Sequence, residues 1–202
     1  FYNVSNPRSP VVTFTTDNNP AYSTPGGANY AGDLREAHAQ SFWGNYVCLP
    51  ANKSGGSGLQ FWDWSNIDPP NPSPQKIGSI VLPGLTGGDY TPTPWWVFWQ
   101  GGRYVYVGGT AGGLYIVDAT DPANPVLVDR GNGLPNPIPT SQTGGFRLNT
   151  MFAVGNVLVS SASDASGVST FDISDPANPV LLDTISTDTG LYSIMINGNR
   201  IL

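Results

Sequence analysis

The chain has 202 residues, of which 39% are hydrophobic and 11% are charged, with a net charge of −6. Such a chain is unlike disordered proteins, which are poor in apolar residues and rich in charge, and its 8 scattered basic residues offer no patch for nucleic acid. A single cysteine, Cys48, excludes an internal disulfide, and its apolar surroundings favour a buried side chain. No run reaches the roughly 18 apolar residues of a membrane span, so we expect no transmembrane segment.

One pattern recurs along the chain: an apolar run ends in Asp or Asn and is followed by a proline-rich link. The clearest copy is residues 114–128, in which Pro122 and Pro125 interrupt both helix and strand because proline fixes φ and lacks an N–H. The Asp, Asn and Thr side chains of the link favour turns. The marker residues are Asn3, Asp63, Asp118 and Asp172, at intervals of 60, 55 and 54 residues. The chain is therefore predicted to be a repeat protein.

Each unit is predicted to contain four short strands, the first two joined by a glycine turn. Residues 17–33 and 131–145 are predicted to be connections without periodicity. The predicted strands are 11–15; 36–43, 46–50, 59–65 and 76–82; 95–100, 104–108, 114–119 and 126–129; 147–154, 157–162, 168–173 and 180–185; 191–196 and 200–202. We predict one domain over 1–202, divided into a half unit at 1–16, whole units at 34–84, 94–130 and 146–187, and a half unit at 190–202.

The repeats resemble the LVIVD-repeat family of bacterial and archaeal proteins, on the strength of glycine hairpins and the motif Asp172-Ile173-Ser174-Asp175-Pro176-Ala177-Asn178-Pro179. The resemblance covers nearly the whole chain. It implies an all-β propeller of four-stranded antiparallel blades at an extracellular, periplasmic or cell-surface location, with no common chemistry.

About four blades' worth of sequence is present. Either the two end halves pair and close a four-bladed ring, or the chain is part of a larger ring of about seven blades. We favour the larger ring, because a mature chain seldom ends within reach of a hairpin turn.

The candidate site is the rim of the propeller channel, where the first strands of the units begin. Residues aligned six positions before each hairpin glycine are more polar and more varied than those of the third strands. They share one side of their strands with residues two positions earlier. From both positions we predict the ligand-binding residues Glu36, His38, Trp95, Arg147, Asn149 and Tyr192.

Two rim groups leave alternatives open. Glu36 and His38 could bind a metal or act as acid and base. A metal site needs three or four ligands and His38 is the only histidine, so a His bonded to Glu36 or water is preferred. Arg147 could clamp a carboxylate of a ligand, or plug the channel by pairing with Glu36 or Asp33.

Two further features have structural and functional interpretations. The aromatic run 95–99 alternates bulky residues to both faces of a strand, which favours packing between blades over stacking on a sugar ring. The recurring acids Asp63, Asp118 and Asp172 could suggest calcium, but their fixed place in each unit favours a role in the turn.

The leading hypothesis is a secreted or cell-envelope propeller that serves as a binding or structural module for a protein or glycan partner. The alternatives are a metal-dependent propeller enzyme with its site at the channel rim, and a subunit of a surface filament or larger assembly. No set of nucleophile, base and orienting group can be nominated, so the sequence favours a non-enzymatic module and leaves the enzyme class open. We predict no cofactor.

Overall fold

Short antiparallel strands form almost all of the regular structure. A computed structural model describes residues 2–16, 19–24, 27, 29–34, 38–52, 57–67, 72–86, 94–109, 113–162, 167–187, 190–191, 193–198 and 200–201. Within these ranges the helices are short, and no helix has the length and hydropathy needed to cross a membrane. This agrees with a sequence in which Pro and Gly interrupt β-branched and aromatic runs every few residues.

Three four-stranded sheets, which we name blades A, B and C, follow one another along the chain between two short hairpins. The first hairpin pairs β1 (Tyr2–Asn3) with β2 (Val11–Val12). Blade A contains β3 (Ser41–Trp43), β4 (Tyr46–Ala51), β5 (Gly58–Asp63) and β6 (Gln75–Val81). Blade B contains β7 (Trp96–Gln100), β8 (Tyr104–Gly108), β9 (Tyr115–Asp118) and β10 (Val126–Leu127). Blade C contains β11 (Leu148–Val154), β12 (Val157–Ala162), β13 (Gly167–Asp172) and β14 (Val180–Ser186). The last hairpin pairs β15 (Ile196–Asn197) with β16 (Arg200–Ile201).

Within each blade every strand pairs with the next in sequence. The first two strands meet at a glycine whose φ is positive, at +57° for Gly44, +57° for Gly101 and +56° for Gly155. Only glycine adopts this left-handed conformation without strain, and it matches the twist of a tight hairpin. The first strands of neighbouring blades contact one another, since β7 touches both β3 and β11. The first strands are therefore the innermost, and the all-β propeller architecture is confirmed.

The blades are held together by two apolar clusters that lie between their faces. Alternation along β7 sends Val97 and Trp99 into the cluster shared with blade A, and Trp96 and Phe98 against the cluster shared with blade C. The prediction that the aromatic run packs between blades is confirmed. Hydroxyl groups add links across the same interfaces, because Tyr106 donates to the carbonyl of Pro176 at 2.9 Å and Tyr115 donates to that of Pro83 at 2.5 Å.

The outer strand of blade B is assembled from two pieces. After β10, the amide of Val128 still donates to Ile116, and the chain then leaves the sheet. It returns at Asn136, whose side chain bonds the backbone of Ile116, and at Ile138, which pairs with Leu114. The connection predicted over 131–145 thus includes a return to the sheet at residues 136–138, where a side-chain amide substitutes for a missing backbone partner.

The segment before blade A also has more structure than predicted. A four-residue helix, α1 (Pro20–Ser23), is capped by Asn19, whose side chain accepts a hydrogen bond from the amide of Ala21. Tyr22 of this helix is buried against Trp62, with ring centroids 6.2 Å apart. The prediction of an irregular connection over 17–33 is corrected for this turn, since capping and burial of one tyrosine stabilise it.

The two end hairpins form separate sheets in the described part of the chain. They do not combine into a fourth blade, so the described blades form an open arc of a propeller. The far face of blade C is partly covered by Ile194, and its outer strand leaves Leu182 and Ile185 exposed. This arrangement disagrees with closure into a four-bladed ring and agrees with the favoured alternative, a partial propeller.

Candidate functional site

A cavity of about 540 Å³ lies where the inner strands of the three blades approach one another. Its lining comes from every blade, and we name it the channel cavity. The lining consists of residues 38–42 from blade A, 96–98 from blade B, 150–152 from blade C, and Ser193 and Met195 from the segment that follows. It is formed by the repeat architecture itself, because equivalent strands of successive units bring their first residues to the same place.

The described lining of the channel cavity contains no Asp, Glu, Lys or Arg side chain, and its one basic side chain is His38. It combines aromatic rings with amide and hydroxyl groups. Gln40 and Ser193 are exposed, and Phe42 is 52% exposed. Ser41 has a structural task as well, because its Oγ accepts a hydrogen bond of 2.8 Å from the amide of Trp99 and so joins the inner strands of blades A and B. The site can therefore offer both flat apolar surfaces and hydrogen-bonding groups.

Three of the predicted rim residues are in contact, one from the start of each unit. The ring of Trp95 lies 5.4 Å from the imidazole of His38, and the guanidinium of Arg147 lies 5.7 Å from the Trp95 ring. We name these three residues the rim cluster. A cation placed over a tryptophan ring is attracted by its electrons. The rim cluster thus joins blades A, B and C through side chains at the edge of the channel cavity.

Of the other predicted rim residues, the structure describes Asn149. Asn149 lies in β11 and is 1% exposed, outside the lining of the channel cavity. Glu36 and Tyr192 lie outside the described residues. The binding role of all six residues remains a prediction. Among the residues that the structure describes, no group of three or more His, Cys, Asp or Glu side chains could hold a metal ion.

Several lining residues were not predicted from the sequence. Gln40, Thr150 and Phe152 lie further along the same inner strands as the predicted residues. Alignment on the hairpin glycines examined only the first positions of each strand. A search of each whole strand down to its hairpin could have found them.

The marker residues of the repeats make the same turn in each copy. The side-chain oxygen Oδ1 of the marker accepts a hydrogen bond from the backbone amide two residues later, over 2.8–2.9 Å. From backbone amide donor to side-chain acceptor, the four bonds run from Ser5 to Asn3, Ser65 to Asp63, Thr120 to Asp118 and Ser174 to Asp172. The predicted structural role of the marker acids in the turn is confirmed.

These turns lower the pKa of their carboxyl groups. Hydrogen bonds from the hydroxyl and the amide of Ser174 hold the pKa of Asp172 below its ordinary value. Partial desolvation raises the pKa of Asp118, but hydrogen bonds from Thr120 and Arg103 outweigh that effect and the pKa is lowered. In both cases the ionised carboxylate is the form that the turn prefers.

We expect stability to fall in acid because of these turns. A carboxyl whose folded pKa is depressed stabilises the protein above its unfolded pKa of about 3.9, and this contribution disappears as the pH falls through the folded value. Asp172→Asn keeps the acceptor, as Asn3 does in the first copy, and removes the titration. The midpoint of urea unfolding should therefore depend less on pH between pH 5 and 2.5 in Asp172→Asn than in the unmodified protein. Asp183→Asn, in β14 rather than in a turn, is the control, and an equal flattening in both variants would contradict the argument.

Comparison with known families bears on these turns and strands. A family profile described as the LVIVD repeat matches residues 99–132 and 165–187. The first match includes the β8 and β9 strands and the link of blade B, and the second includes β13, its link and β14. The resemblance to this repeat family is confirmed over these two segments. No curated protein matches the chain.

Proposed function

We propose that this LVIVD-repeat protein is a binding module of the cell exterior or envelope, which holds a protein or glycan partner at the rim of its channel. The extracellular, periplasmic or cell-surface location follows the resemblance to LVIVD-repeat propellers. The observation that carries the binding role is the channel cavity, to which all three blades contribute lining residues. Concave sites lined by rings and a few polar groups are the usual places where proteins hold ligands.

The rim cluster supports a partner that contacts more than one blade. At the edge of the cavity, the Trp95 ring contacts the tilted imidazole of His38 and the guanidinium of Arg147. An aromatic ring flanked by an imidazole and a guanidinium forms a pre-ordered surface, so little side-chain freedom remains to be lost when a partner binds. Arg147 also supplies planar donors for carbonyl or hydroxyl groups of a partner.

The alternative of a metal-dependent enzyme depends on Glu36 acting together with His38. Glu36 lies outside the described residues, and the described contacts of the His38 ring are with Trp95 and Trp96 at 5.4 and 6.4 Å. These ring contacts support a packing and recognition role for His38.

The test of this proposal is binding to the unmodified protein and to two matched arginine variants. Arg147→Ala removes the guanidinium over Trp95 at the rim. Arg103→Ala removes a guanidinium that stacks in the same way over Tyr104, 4.7 Å from its ring, at the hairpin end of blade B. All three proteins would be screened on an array of oligosaccharides and on purified envelope proteins, and the Kd of each hit would be measured by calorimetry.

We expect at least one partner whose binding is about tenfold weaker in Arg147→Ala, equivalent to ~1.4 kcal/mol, and unchanged in Arg103→Ala. His38→Ala should weaken the same partner. Equal losses in the two arginine variants, or an array without any hit, would overturn the rim as the binding site.

A further inference from the structure

We propose that the channel cavity binds an uncharged sugar unit of a glycan chain. This inference rests on the proposed function and specifies the ligand class for the same site. The size of the cavity, the charge of its lining and the pairing of rings with hydrogen-bonding side chains support this ligand class.

The size of the cavity favours a small ring or the end of a chain over a folded surface. A volume of about 540 Å³ lies in the range of about 300–1,000 Å³ that is usual for small-ligand sites. A stable interface with a folded protein buries about 800 Å² on each partner. Such a partner would rest mainly on the surrounding rim, whereas a sugar unit can enter the cavity itself.

The charge of the lining favours a neutral ligand. A charged group that enters a cavity loses hydration, and that loss is offset only by an opposite charge or by several hydrogen bonds. The described lining contains no Asp, Glu, Lys or Arg. The guanidinium of Arg147 packs over Trp95, which contacts the lining residue His38. A phosphorylated or carboxylated ligand would therefore find no Lys or Arg among the described lining residues, and His38 is the one basic side chain there.

The lining also distinguishes a sugar from a purely apolar ligand. Phe42 presents half of its surface, and Trp96, Phe98 and Phe152 add partly buried rings to the same cavity. A sugar ring carries C–H groups on its faces, which pack on such rings, and hydroxyls at its edge. Those hydroxyls both donate and accept, which the amide of Gln40 and the hydroxyl of Ser193 can also do. An apolar ligand would leave these polar groups without water or a partner, at a cost in affinity.

Two adjacent aromatic residues provide the matched test. Phe42 lines the cavity, whereas Trp43 is 50% exposed and lies outside the lining. The probes are three neutral tetrasaccharides (cellotetraose, tetra-N-acetylchitotetraose and mannotetraose) and the charged tetragalacturonate. Calorimetry would measure their binding to the unmodified protein, Phe42→Ala, Gln40→Ala and Trp43→Ala, after urea unfolding has confirmed that each variant is folded.

We expect saturable binding of at least one neutral tetrasaccharide, weakened about tenfold or more in Phe42→Ala and Gln40→Ala and unchanged in Trp43→Ala. Tighter binding of tetragalacturonate than of every neutral probe would overturn the inference. A neutral tetrasaccharide whose binding is weakened as much in Trp43→Ala as in Phe42→Ala would also overturn it. The absence of binding by every neutral tetrasaccharide at millimolar concentration would do the same.

These failures can be separated from failure of the proposed function. If the neutral sugars do not bind but a protein partner binds and is weakened in Arg147→Ala, the rim is a binding site and only the ligand class is wrong. If no partner depends on Arg147 and no sugar depends on Phe42, both proposals fall.

Discussion

Phe61→Ala should lower the free energy of unfolding by about 3–5 kcal/mol, since replacing a buried aromatic side chain with alanine loses its transfer energy and leaves a cavity. Phe61 lies in β5 and is 0% exposed, within the cluster between blades A and B. Its ring meets that of Trp99 edge to face, with centroids 5.4 Å apart and an interplanar angle of 80°. Such a pair adds about 0.5–1.5 kcal/mol beyond the burial of its area. Urea unfolding followed by tryptophan fluorescence and by circular dichroism would measure the loss.

Phe42→Ala is the control for this prediction. It removes the same side chain from β3, where Phe42 is half exposed and contacts Trp64 edge to face at 5.6 Å. We expect a loss of less than about 1 kcal/mol from this variant, as is usual for exposed positions. If Phe61→Ala cost no more than Phe42→Ala, the cluster between blades A and B would not be the support of the fold that its burial indicates.

The strands and turns were predictable because their causes are local. Paired prolines, side-chain turns at the marker residues and glycines with positive φ act over a few residues, so their chemistry is readable in order along the chain. Because these local signals recur along the chain, equivalent positions in successive units could be aligned. The inward start of each first strand followed from this equivalence, and His38, Trp95 and Arg147 do meet at one place in the structure.

Features that depend on tertiary contacts were not predictable in this way. Helix α1 has only four residues, too few for periodicity, and its burial depends on Trp62 some forty residues away. The cavity lining depends on which parts of three inner strands face one another, so Gln40 and Phe152 were missed while the buried Asn149 was selected. Repeat alignment identifies equivalent positions, but it does not determine how far each side chain is covered by the neighbouring blade.

The side chain of Asn136, in the second piece of the outer strand of blade B, is expected to contribute strongly to the stability of the fold. Asn136→Ala should lower the free energy of unfolding by about 2–4 kcal/mol, because the buried amide of Ile116 would lose its acceptor and the carbonyls of Ile116 and Val128 would each lose a donor. The side-chain amide of Asn136 donates to the carbonyls of Ile116 and Val128 at 2.7 and 3.0 Å, and its oxygen accepts from the amide of Ile116 at 3.1 Å. Ile116 is 0% exposed, so water cannot easily replace these bonds. Urea unfolding would measure the loss, and hydrogen exchange at the Ile116 amide would locate it.

Two further variants separate the hydrogen bonds from other effects at this position. Asn136→Asp keeps the acceptor for the Ile116 amide and loses both donors, so it should also be destabilising while retaining more protection of that amide than Asn136→Ala. Asn124→Ala removes an exposed amide that donates to Asp121 within its own turn, and it should cost less than about 1 kcal/mol. Unchanged exchange at Ile116 in Asn136→Ala would show that the return of the chain at 136–138 does not depend on this side chain. Faster exchange confined to Ile116 and its strand would show that one amide side chain completes the edge of the blade.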